Sequence, residues 1–281
     1  MRYPVSVWID YWEHVSVEES IARLRKAGFT HGELSVIHLP QIMAAADPVK
    51  YGAQLKSYCD DLGFTVPQGH TSFTEGFVGP QALERLKPEM DMFAAWGIQK
   101  AVLHVNGGKD MEDKQARYDS WMENLRQLSE YVEGTGVTLC LENLNSMEET
   151  RKPENLLQMI RDAGGKNMGI CLDTGHLHLS NTAGTTHVTH GDFIRLCGDK
   201  LQALHIVDNN GDKDTHQMPF SARTGVDWVD VMRGLRDIDY KGLFNLEILG
   251  ERGGNDAIRE AKLAFIQIMC REMLSDAFIA E

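Results

Sequence analysis

Four short apolar segments of this sequence each carry one side chain that can bind a metal ion. The segments are LCLENL with Glu142, GICLDTGH with Asp173, LQALHIVD with His205 and LFNLEIL with Glu247. An ionised carboxylate among apolar neighbours must be ion-paired, protonated or metal-bound, because it loses its hydration there. One divalent cation shared by the three carboxylates and the imidazole satisfies all four side chains. The sequence therefore predicts a metal site built from these residues.

The ligand atoms of this predicted site are oxygen and nitrogen. Such a set is harder than the cysteine-rich sets of structural zinc sites, so Mn, Mg and Co fit it at least as well as Zn. The five cysteines, at positions 59, 140, 171, 197 and 270, form no CxxC pair and are expected to be buried, unpaired thiols. We expect one divalent metal ion, whose identity the sequence leaves open.

The elements that must position these residues alternate between strand-like and helix-like patterns along the whole chain. The expected strands are 3–9, 33–37, 64–69, 100–106, 137–144, 168–172, 201–207 and 243–249, and the expected helices are 17–27, 48–62, 81–96, 113–133, 153–163, 191–196, 227–235 and 256–273. Eight β-then-α units without a GxGxxG or GxxxxGK[ST] motif favour a (β/α)8 TIM barrel over a doubly wound sheet. We predict one barrel domain spanning residues 1–281.

The register of the last four strands supports a shared site. A leucine precedes each of the four candidate ligands, at positions 141, 172, 204 and 246. Because side chains alternate across a strand, the leucines are expected to face outward and the four polar groups inward. The active sites of such barrels lie at the C-terminal ends of the strands, where these residues fall.

Composition limits the classes of partner. The chain has 281 residues, 42% of them hydrophobic, and a formal net charge of −13, which disfavours broad binding to a phosphate backbone. No apolar run approaches the roughly 20 residues that a membrane-spanning helix needs. The N-terminal MRYPVSVWID has no signal-peptide pattern. We expect a cytoplasmic enzyme that acts on a small molecule, with no nucleic-acid or membrane partner.

Further polar residues are expected near the same mouth. His70 and His104 lie at the C-terminal ends of the third and fourth expected strands, one residue after 64–69 and near the end of 100–106, and His176 follows Asp173 through a turn that contains glycine. Asp214 and His216 lie in the loop after the seventh strand. We predict that the four histidines and Asp214 bind substrate. His70 and His104 are equally explained as hydrogen-bonded structural histidines.

Arg252 is the remaining candidate for substrate binding. It lies in ERGGND, just before the last expected helix, where barrels often bind phosphate. A flexible loop with an ordinary helix cap explains the same sequence, so phosphorylated and unphosphorylated substrates both remain open.

The motifs LEN, CLDTGH, LHIVDN, DTHQMPFSARTGVDW and LFNLEI resemble those of the sugar phosphate isomerase/epimerase family. These xylose isomerase-like TIM barrels also include AP endonucleases of the endonuclease IV type. The resemblance is most specific from the fourth strand onward. It implies a metal held by the Glu, Asp, His and Glu that end the fifth to eighth strands, and these match Glu142, Asp173, His205 and Glu247.

The resemblance implies proton transfer at a carbon beside a carbonyl, with a metal-stabilised enediolate. If Glu142 and Glu247 reach opposite faces of that carbon, one deprotonates and the other reprotonates it, and the product is an epimer. If only one reaches it, the product is an isomer. His176 is expected to bind a substrate oxygen, and Asp214 with His216 to close the mouth or to orient His205.

Three alternatives to a ketose epimerase or aldose/ketose isomerase stay open. The first is a phosphodiesterase of the endonuclease IV type, whose three-metal site would use the additional His and Asp residues. Against it, the GHTSF segment departs from the endonuclease pattern and no basic DNA-reading insertion is present. The second is a dehydratase of cyclitol ketones, and the third is a binding-only barrel. Relatives of this fold often form homo-oligomers, but no sequence feature specifies an interface.

Overall fold

The structure, a computed structural model, describes residues 3–73 and 75–280. Eight parallel strands form one sheet in the order β7-β6-β5-β4-β3-β2-β1-β8. The strands are β1 Val5–Trp8, β2 His31–Leu34, β3 Thr65–His70, β4 Lys100–Leu103, β5 Thr138–Glu142, β6 Met168–Asp173, β7 Leu201–His205 and β8 Phe244–Leu246. The predicted (β/α)8 TIM barrel is confirmed.

Ten helices in the described residues connect or follow the strands. They are α1 Val17–Lys26, α2 Leu39–Met43, α3 Pro48–Leu62, α4 Gln81–Trp96, α5 Lys114–Tyr131, α6 Pro153–Asp162, α7 Thr174–Thr182, α8 His190–Cys197, α9 Trp228–Asp237 and α10 Asp256–Met273. Side-chain caps at several helix starts explain why the helices begin there, as at α1, where Ser16 accepts from the Glu19 amide. None of the described helices is long and apolar enough to cross a membrane.

Closure of the barrel is uneven. Seven neighbouring strand pairs form parallel ladders, with a register shift in β2–β3 and another in β6–β7. By contrast, β7 and β8 meet in one isolated bridge between Ile206 and Leu246, where the Ile206 amide donates to the Asn245 carbonyl oxygen at 2.8 Å. The eighth seam therefore depends on a few contacts beside the predicted site.

The predicted register is confirmed by two separate apolar layers. The leucines at 141, 172, 204 and 246 are fully buried in the large core between strands and helices. A second, smaller cluster consists of Val102, Cys140, Cys171 and Ala203. Each member of this smaller cluster precedes by two residues a candidate site residue on the same strand or just after it, so the cluster forms the floor beneath the site.

The structure differs from the sequence expectation at two elements that matter for the site. The second strand was predicted over 33–37, but β2 spans His31–Leu34, which places Glu33 within a strand and inside the barrel. The turn predicted after Asp173 is instead the first turn of α7. The short helix α2 was also not expected.

Candidate active site

The four candidate metal ligands lie together at the C-terminal end of the barrel. Glu142, Asp173 and His205 are the last residues of β5, β6 and β7, and Glu247 follows β8 directly. All four side chains are buried, with relative exposures of 5% or less. Their placement at one mouth therefore agrees with the sequence expectation.

The ligand atoms converge around the Nδ1 atom of His205. This nitrogen lies 3.3 Å from Glu247 Oε2, 3.5 Å from Glu142 Oε2 and 4.0 Å from Asp173 Oδ2. Ligand atoms bound about 2.1 Å from one metal ion lie roughly 3.0–4.2 Å apart. The observed separations match that range, and Asp173, His205 and Glu247 offer ligand atoms that all lie within 4.8 Å of one another, so these three fit a single divalent cation, with Glu142 Oε2 close to His205 as the fourth candidate.

Three of these converging atoms have no hydrogen-bond partner although they are buried. They are Asp173 Oδ2, His205 Nδ1 and Glu247 Oε2. Unsatisfied buried polar atoms are rare in native proteins, because each costs about 1–3 kcal/mol. A bound cation satisfies all three together, which is a second and independent sign of fit. Cys171 lies beneath the same group, but burial raises the pKa of its thiol well above the usual value, so it contributes a neutral neighbour.

Glu33 holds the imidazole of His205 from the opposite side. Its Oε1 accepts hydrogen bonds from His205 Nε2 and Gln68 Nε2, each at 3.0 Å. Its Oε2 accepts from Trp8 Nε1 at 3.1 Å and from Asn245 Nδ2. A carboxylate that accepts from one imidazole nitrogen leaves the other nitrogen as a lone-pair donor. Glu33 therefore directs His205 Nδ1 at the other three ligands.

Sequence reasoning missed Glu33 and assigned its role elsewhere. We expected Asp214 and His216 to orient His205 or to close the mouth; the described polar contacts of that pair are with each other, His176 and Glu247, so Glu33 and not this pair orients His205. The available signal was a charged residue within the half-apolar segment HGELS. Placing the strand two residues too late concealed that this residue points into the barrel.

Helix α7 begins on one of the ligands. Asp173 caps it, with Oδ1 accepting from the His176 amide at 2.6 Å while Oδ2 faces the other ligands. Gly175 lies in the first turn, where an added Cβ would be only 2.7 Å from Val207 Cγ2. The close approach allows Thr174 Oγ1 to donate to the Val207 carbonyl oxygen at 2.7 Å. The helix start is thereby fixed against β7.

His70 and His104 form a pair beside Glu142. Their Nε2 atoms lie 3.2 Å apart, and His104 Nε2 lies 2.9 Å from Glu142 Oε2. His70 Nδ1 donates to the Thr71 carbonyl oxygen at 2.7 Å, which leaves His70 Nε2 as an acceptor that faces His104. Burial lowers the pKa of His104, although Glu142 opposes the shift, so this imidazole is neutral. Phe73 packs on the His104 ring at a centroid distance of 4.5 Å.

His176, Asp214 and His216 form a chain of contacts above the ligands. His176 Nδ1 lies 3.0 Å from Glu142 Oε1, and its Nε2 lies 3.1 Å from Asp214 Oδ2. His216 Nε2 lies 3.4 Å from the same Asp214 oxygen, and its Nδ1 donates to the Glu247 carbonyl oxygen at 3.0 Å. The chain thus spans the mouth from Glu142 to Glu247.

The loop that carries Asp214 and His216 is anchored by Asp208. The carboxylate of Asp208 accepts from the amides of Asn209 (2.9 Å), Phe220 (3.2 Å) and Val226 (3.0 Å), and it is almost fully buried. Its backbone pairs with Gln217 in an antiparallel bridge. These contacts close the long loop at both ends and set the height of its tip over the barrel.

The surroundings of Glu142 and Glu247 shift the pKa values of the two carboxyl groups in opposite directions. Burial acts to raise the pKa of Glu142, but His104 and His205 outweigh it and hold that pKa well below the usual value. Burial raises the pKa of Glu247 well above the usual value, against the opposing effect of His205 and His216. The pKa of His205 is raised well above its usual value because the surrounding acids outweigh its desolvation.

Arg252 is placed apart from this group. Its guanidinium pairs with Glu13 at 2.9 Å, and its side chain is 80% exposed. None of its described polar contacts is with a strand-end residue, and its predicted role in substrate binding stays a prediction. A cavity of about 670 Å³ lies around the starts of β3, β4 and β7, at the opposite end of the barrel, and no predicted site residue lines it.

The chain is similar to known sugar-acting barrels. A D-psicose 3-epimerase of Agrobacterium fabrum is 23% identical over 273 residues, covering 88% of this chain and 86% of that protein. A fructoselysine 3-epimerase of Shigella flexneri is 29% identical over 171 residues, covering 60% of this chain and 59% of that protein. The solved D-psicose 3-epimerase with D-tagatose from Clostridium cellulolyticum H10 superposes with a TM-score of 0.78 at 19% identity, over 97% of this chain and 99% of the other.

The family model described as xylose isomerase-like TIM barrel matches residues 21–268. This match includes seven of the eight strands and every candidate ligand. The chain belongs to the xylose isomerase-like TIM barrel family.

Proposed function

We propose that this chain is a divalent-metal-dependent epimerase that inverts carbon 3 of a ketose. It is an enzyme of the sugar isomerase and epimerase type. The observation that carries the metal dependence is the convergence of three unsatisfied buried atoms, Asp173 Oδ2, His205 Nδ1 and Glu247 Oε2, in a volume fit for one cation. The choice of carbon and of substrate class rests on the two relatives, both named as 3-epimerases of ketose-type sugars.

Glu142, Asp173, His205 and Glu247 would hold the cation. When bound, a divalent cation acts as a Lewis acid that stabilises negative charge on neighbouring substrate oxygens and orients the sugar. Asp173 and His205 are each fixed by a second contact, to the His176 amide of α7 and to Glu33 respectively. They therefore serve as rigid ligands, whereas the two glutamates retain a second function.

Glu142 and Glu247 are proposed as the acid/base pair. Their Oε2 atoms lie 3.5 Å and 3.3 Å from His205 Nδ1, and the two residues are carried by different strand ends, those of β5 and β8. A sugar held between them presents opposite faces of one carbon to the two carboxylates. One carboxylate removes the proton beside the carbonyl, and the other returns a proton from the opposite face, so the carbon is inverted.

The histidines around the glutamates would bind the sugar hydroxyls. His176 contacts Glu142 and Asp214, and His216 contacts Glu247, so a sugar between the glutamates reaches both rings. Trp8 packs against the His216 ring at a centroid distance of 5.5 Å and supplies an apolar surface for one face of the sugar. His70 and His104 would meet the opposite end of the substrate.

The test is solvent isotope exchange with a panel of free and phosphorylated ketoses in heavy water, with Mn, Mg, Co or Zn supplied singly. We expect deuterium at carbon 3 of a substrate and formation of its epimer, both followed by NMR. Glu142→Gln and Glu247→Gln should each abolish epimer formation, because each removes one of the two proton carriers. Exchange retained in both variants refutes the acid/base assignment, and loss of water from the substrate instead indicates a dehydratase.

A phosphodiesterase is the second candidate, favoured by one observation. His70, His104 and Glu142 offer ligand atoms within 4.8 Å of one another, beside the first ligand group. A second cation there would share Glu142 with the first, and metal pairs of this kind activate water for phosphoester cleavage. Metal analysis and cleavage of abasic DNA distinguish the candidates: about one ion per chain without cleavage supports the epimerase, and several ions with cleavage support the phosphodiesterase.

A further inference from the structure

Two groups of candidate metal ligands share one imidazole. Asp173, His205 and Glu247 offer ligand atoms that lie within 4.8 Å of one another, and so do Glu142, Cys171 and His205. Because the Nε2 atom of His205 is already held by a carboxylate on the other side of the ring, Nδ1 is the ligand atom for both groups. The single lone pair of this nitrogen binds one cation at a time. The two groups are therefore alternative positions for a cation.

The two groups differ in the hardness of their ligand atoms. The first supplies one nitrogen and two carboxylate oxygens, a set that suits Mn²⁺ and Mg²⁺. The second replaces one oxygen with the sulfur of Cys171, and sulfur ligands favour softer cations such as Zn²⁺ and Cd²⁺. Of the four residues in the floor cluster, Cys171 is the one that joins such a group among the described residues. The softness of the cation therefore decides which position is favoured.

The sulfur-containing group is close to the geometry of a tetrahedral site. His205 Nδ1 and Glu142 Oε2 are 3.5 Å apart, and Glu142 pairs with Cys171 across the neighbouring strands β5 and β6. Two ligand atoms on one tetrahedral zinc ion, each about 2.0–2.3 Å from it, lie about 3.3–3.6 Å apart. One edge of the tetrahedron is therefore already present. The sulfur lies within 4.8 Å of a ligand atom of each partner, so a shift of about 1 Å completes the three-ligand set.

Two atoms of this group are buried without a hydrogen-bond partner. His205 Nδ1 has none, although its side chain is fully buried, and the Cys171 thiol makes no hydrogen bond within residues 3–73 and 75–280. By contrast, the equally buried thiol of Cys140 donates to the Thr138 carbonyl oxygen at 3.8 Å. A cation that binds the Cys171 sulfur takes the place of the thiol proton, which passes to solvent. One S–H bond is thereby exchanged for one bond from sulfur to metal.

We propose that Glu142, Cys171 and His205 form a second metal position, which binds thiophilic divalent cations such as Zn²⁺ and Cd²⁺ and excludes a cation from the first group. Three protein ligands leave the fourth tetrahedral position to water, unlike a closed structural zinc site. A cation in this position leaves Asp173 and Glu247 without metal. It therefore inhibits proton transfer, because it lies toward the barrel floor and away from the sugar oxygens. That inhibition rests on the proposed function, whereas the metal position does not.

Titration with Cd²⁺ followed by ultraviolet absorption tests the position, because bonds from thiolate sulfur to Cd²⁺ give a charge-transfer band that nitrogen and oxygen ligands lack. We expect this band in the wild type. Cys171→Ala should abolish it and weaken Cd²⁺ binding at least about a hundredfold, since loss of a group that merely supports a ligand already costs about 10–100-fold. Cys140→Ala is the matched control, because Cys140 is equally buried in the same floor cluster, and it should keep the band. A wild type without the band, or a band that survives Cys171→Ala, overturns the proposal.

Competition with Mn²⁺ tests the shared nitrogen and needs no variant. Cd²⁺ should displace bound Mn²⁺ ion for ion, and the electron paramagnetic resonance signal of free Mn²⁺ should rise accordingly. Mn²⁺ and Cd²⁺ bound together to one chain refute the alternative positions. In Cys171→Ala the affinity for Mn²⁺ should stay within about threefold of the wild type, because the harder group is intact, and this also shows that the variant is folded.

Solvent isotope exchange separates this proposal from the proposed function. We expect exchange into a ketose with the Mn²⁺-loaded protein and its loss with the Cd²⁺-loaded protein. A charge-transfer band without exchange in the presence of Mn²⁺ refutes the epimerase and supports the metal position. Exchange that is equally fast with both cations refutes the inhibition.

Discussion

Replacing Glu33 by glutamine should weaken metal binding although it changes none of the four candidate metal ligands. Glu33 accepts four hydrogen bonds, two on each carboxylate oxygen, and all four partners are donors. A glutamine side chain can turn its amide oxygen to only one pair, so its NH2 group faces the other pair. Whichever way it turns, two buried donors lose their acceptor, at about 1–3 kcal/mol each.

The effect on the metal follows from the tautomer of His205. If the new NH2 group faces His205, Nε2 becomes an acceptor and the ring proton moves to Nδ1, the atom needed by the metal. If it faces the other pair, the negative charge that raises the basicity of the imidazole is still lost. Loss of such a supporting carboxylate weakens metal binding about 10–100-fold, or about 1.4–2.7 kcal/mol.

The assay is metal affinity, measured by isothermal titration or chelator competition, together with the nitrogen-15 chemical shifts of the His205 ring. Glu89→Gln is the matched control, since Glu89 is equally buried but accepts from Ser72 rather than from a ligand. The control should bind metal like the wild type. If Glu33→Gln binds metal as tightly as Glu89→Gln, the reasoning about the tautomer is wrong.

Two further predictions concern proton release and the loop over the mouth. Because the surroundings raise the pKa of His205, a metal ion that binds this ring must displace a proton. The affinity for metal should therefore fall up to tenfold per pH unit below that raised pKa. Calorimetric titrations in buffers of different ionisation enthalpy should report the released protons. Affinity independent of pH contradicts this. Asp208→Ala should lower kcat/KM by about tenfold or more while leaving metal affinity within about twofold, because it frees the loop that carries Asp214 and His216 but touches no ligand. Steady-state kinetics and metal titration of the same sample decide it, and an equal loss of both would place Asp208 in the metal site instead.

Sequence periodicity was sufficient to predict the barrel fold and the inward orientation of the four strand-end residues. Each of these residues follows a leucine, and a period of two assigns the two neighbours to opposite faces of a strand without any tertiary information. The prediction that Glu142 and Glu247 share a mouth followed from the order of the strands alone, since consecutive parallel strands end at the same edge.

The sequence could not identify residues whose roles arise across the barrel. Glu33 and His205 are 172 positions apart and meet only because β2 and β7 face each other through the barrel interior. Helix α7 was missed for a related reason. Its sequence TGHLHLSNT has few strong helix formers, and contacts of Thr174 and Gly175 with the residues after β7 hold its first turn. Tertiary packing therefore determined both features.

The single bridge between β7 and β8 implies that a bound cation would also stabilise the barrel. His205 ends one of these strands and Glu247 directly follows the other, so the two ligands lie on either side of the weakest seam of the barrel. An ion bound by both residues would cross-link the ends of β7 and β8 and so stabilise the closure of the barrel. In the apo protein the backbone amides at this seam should exchange with solvent before those of the other strands, and loading with metal should slow them most.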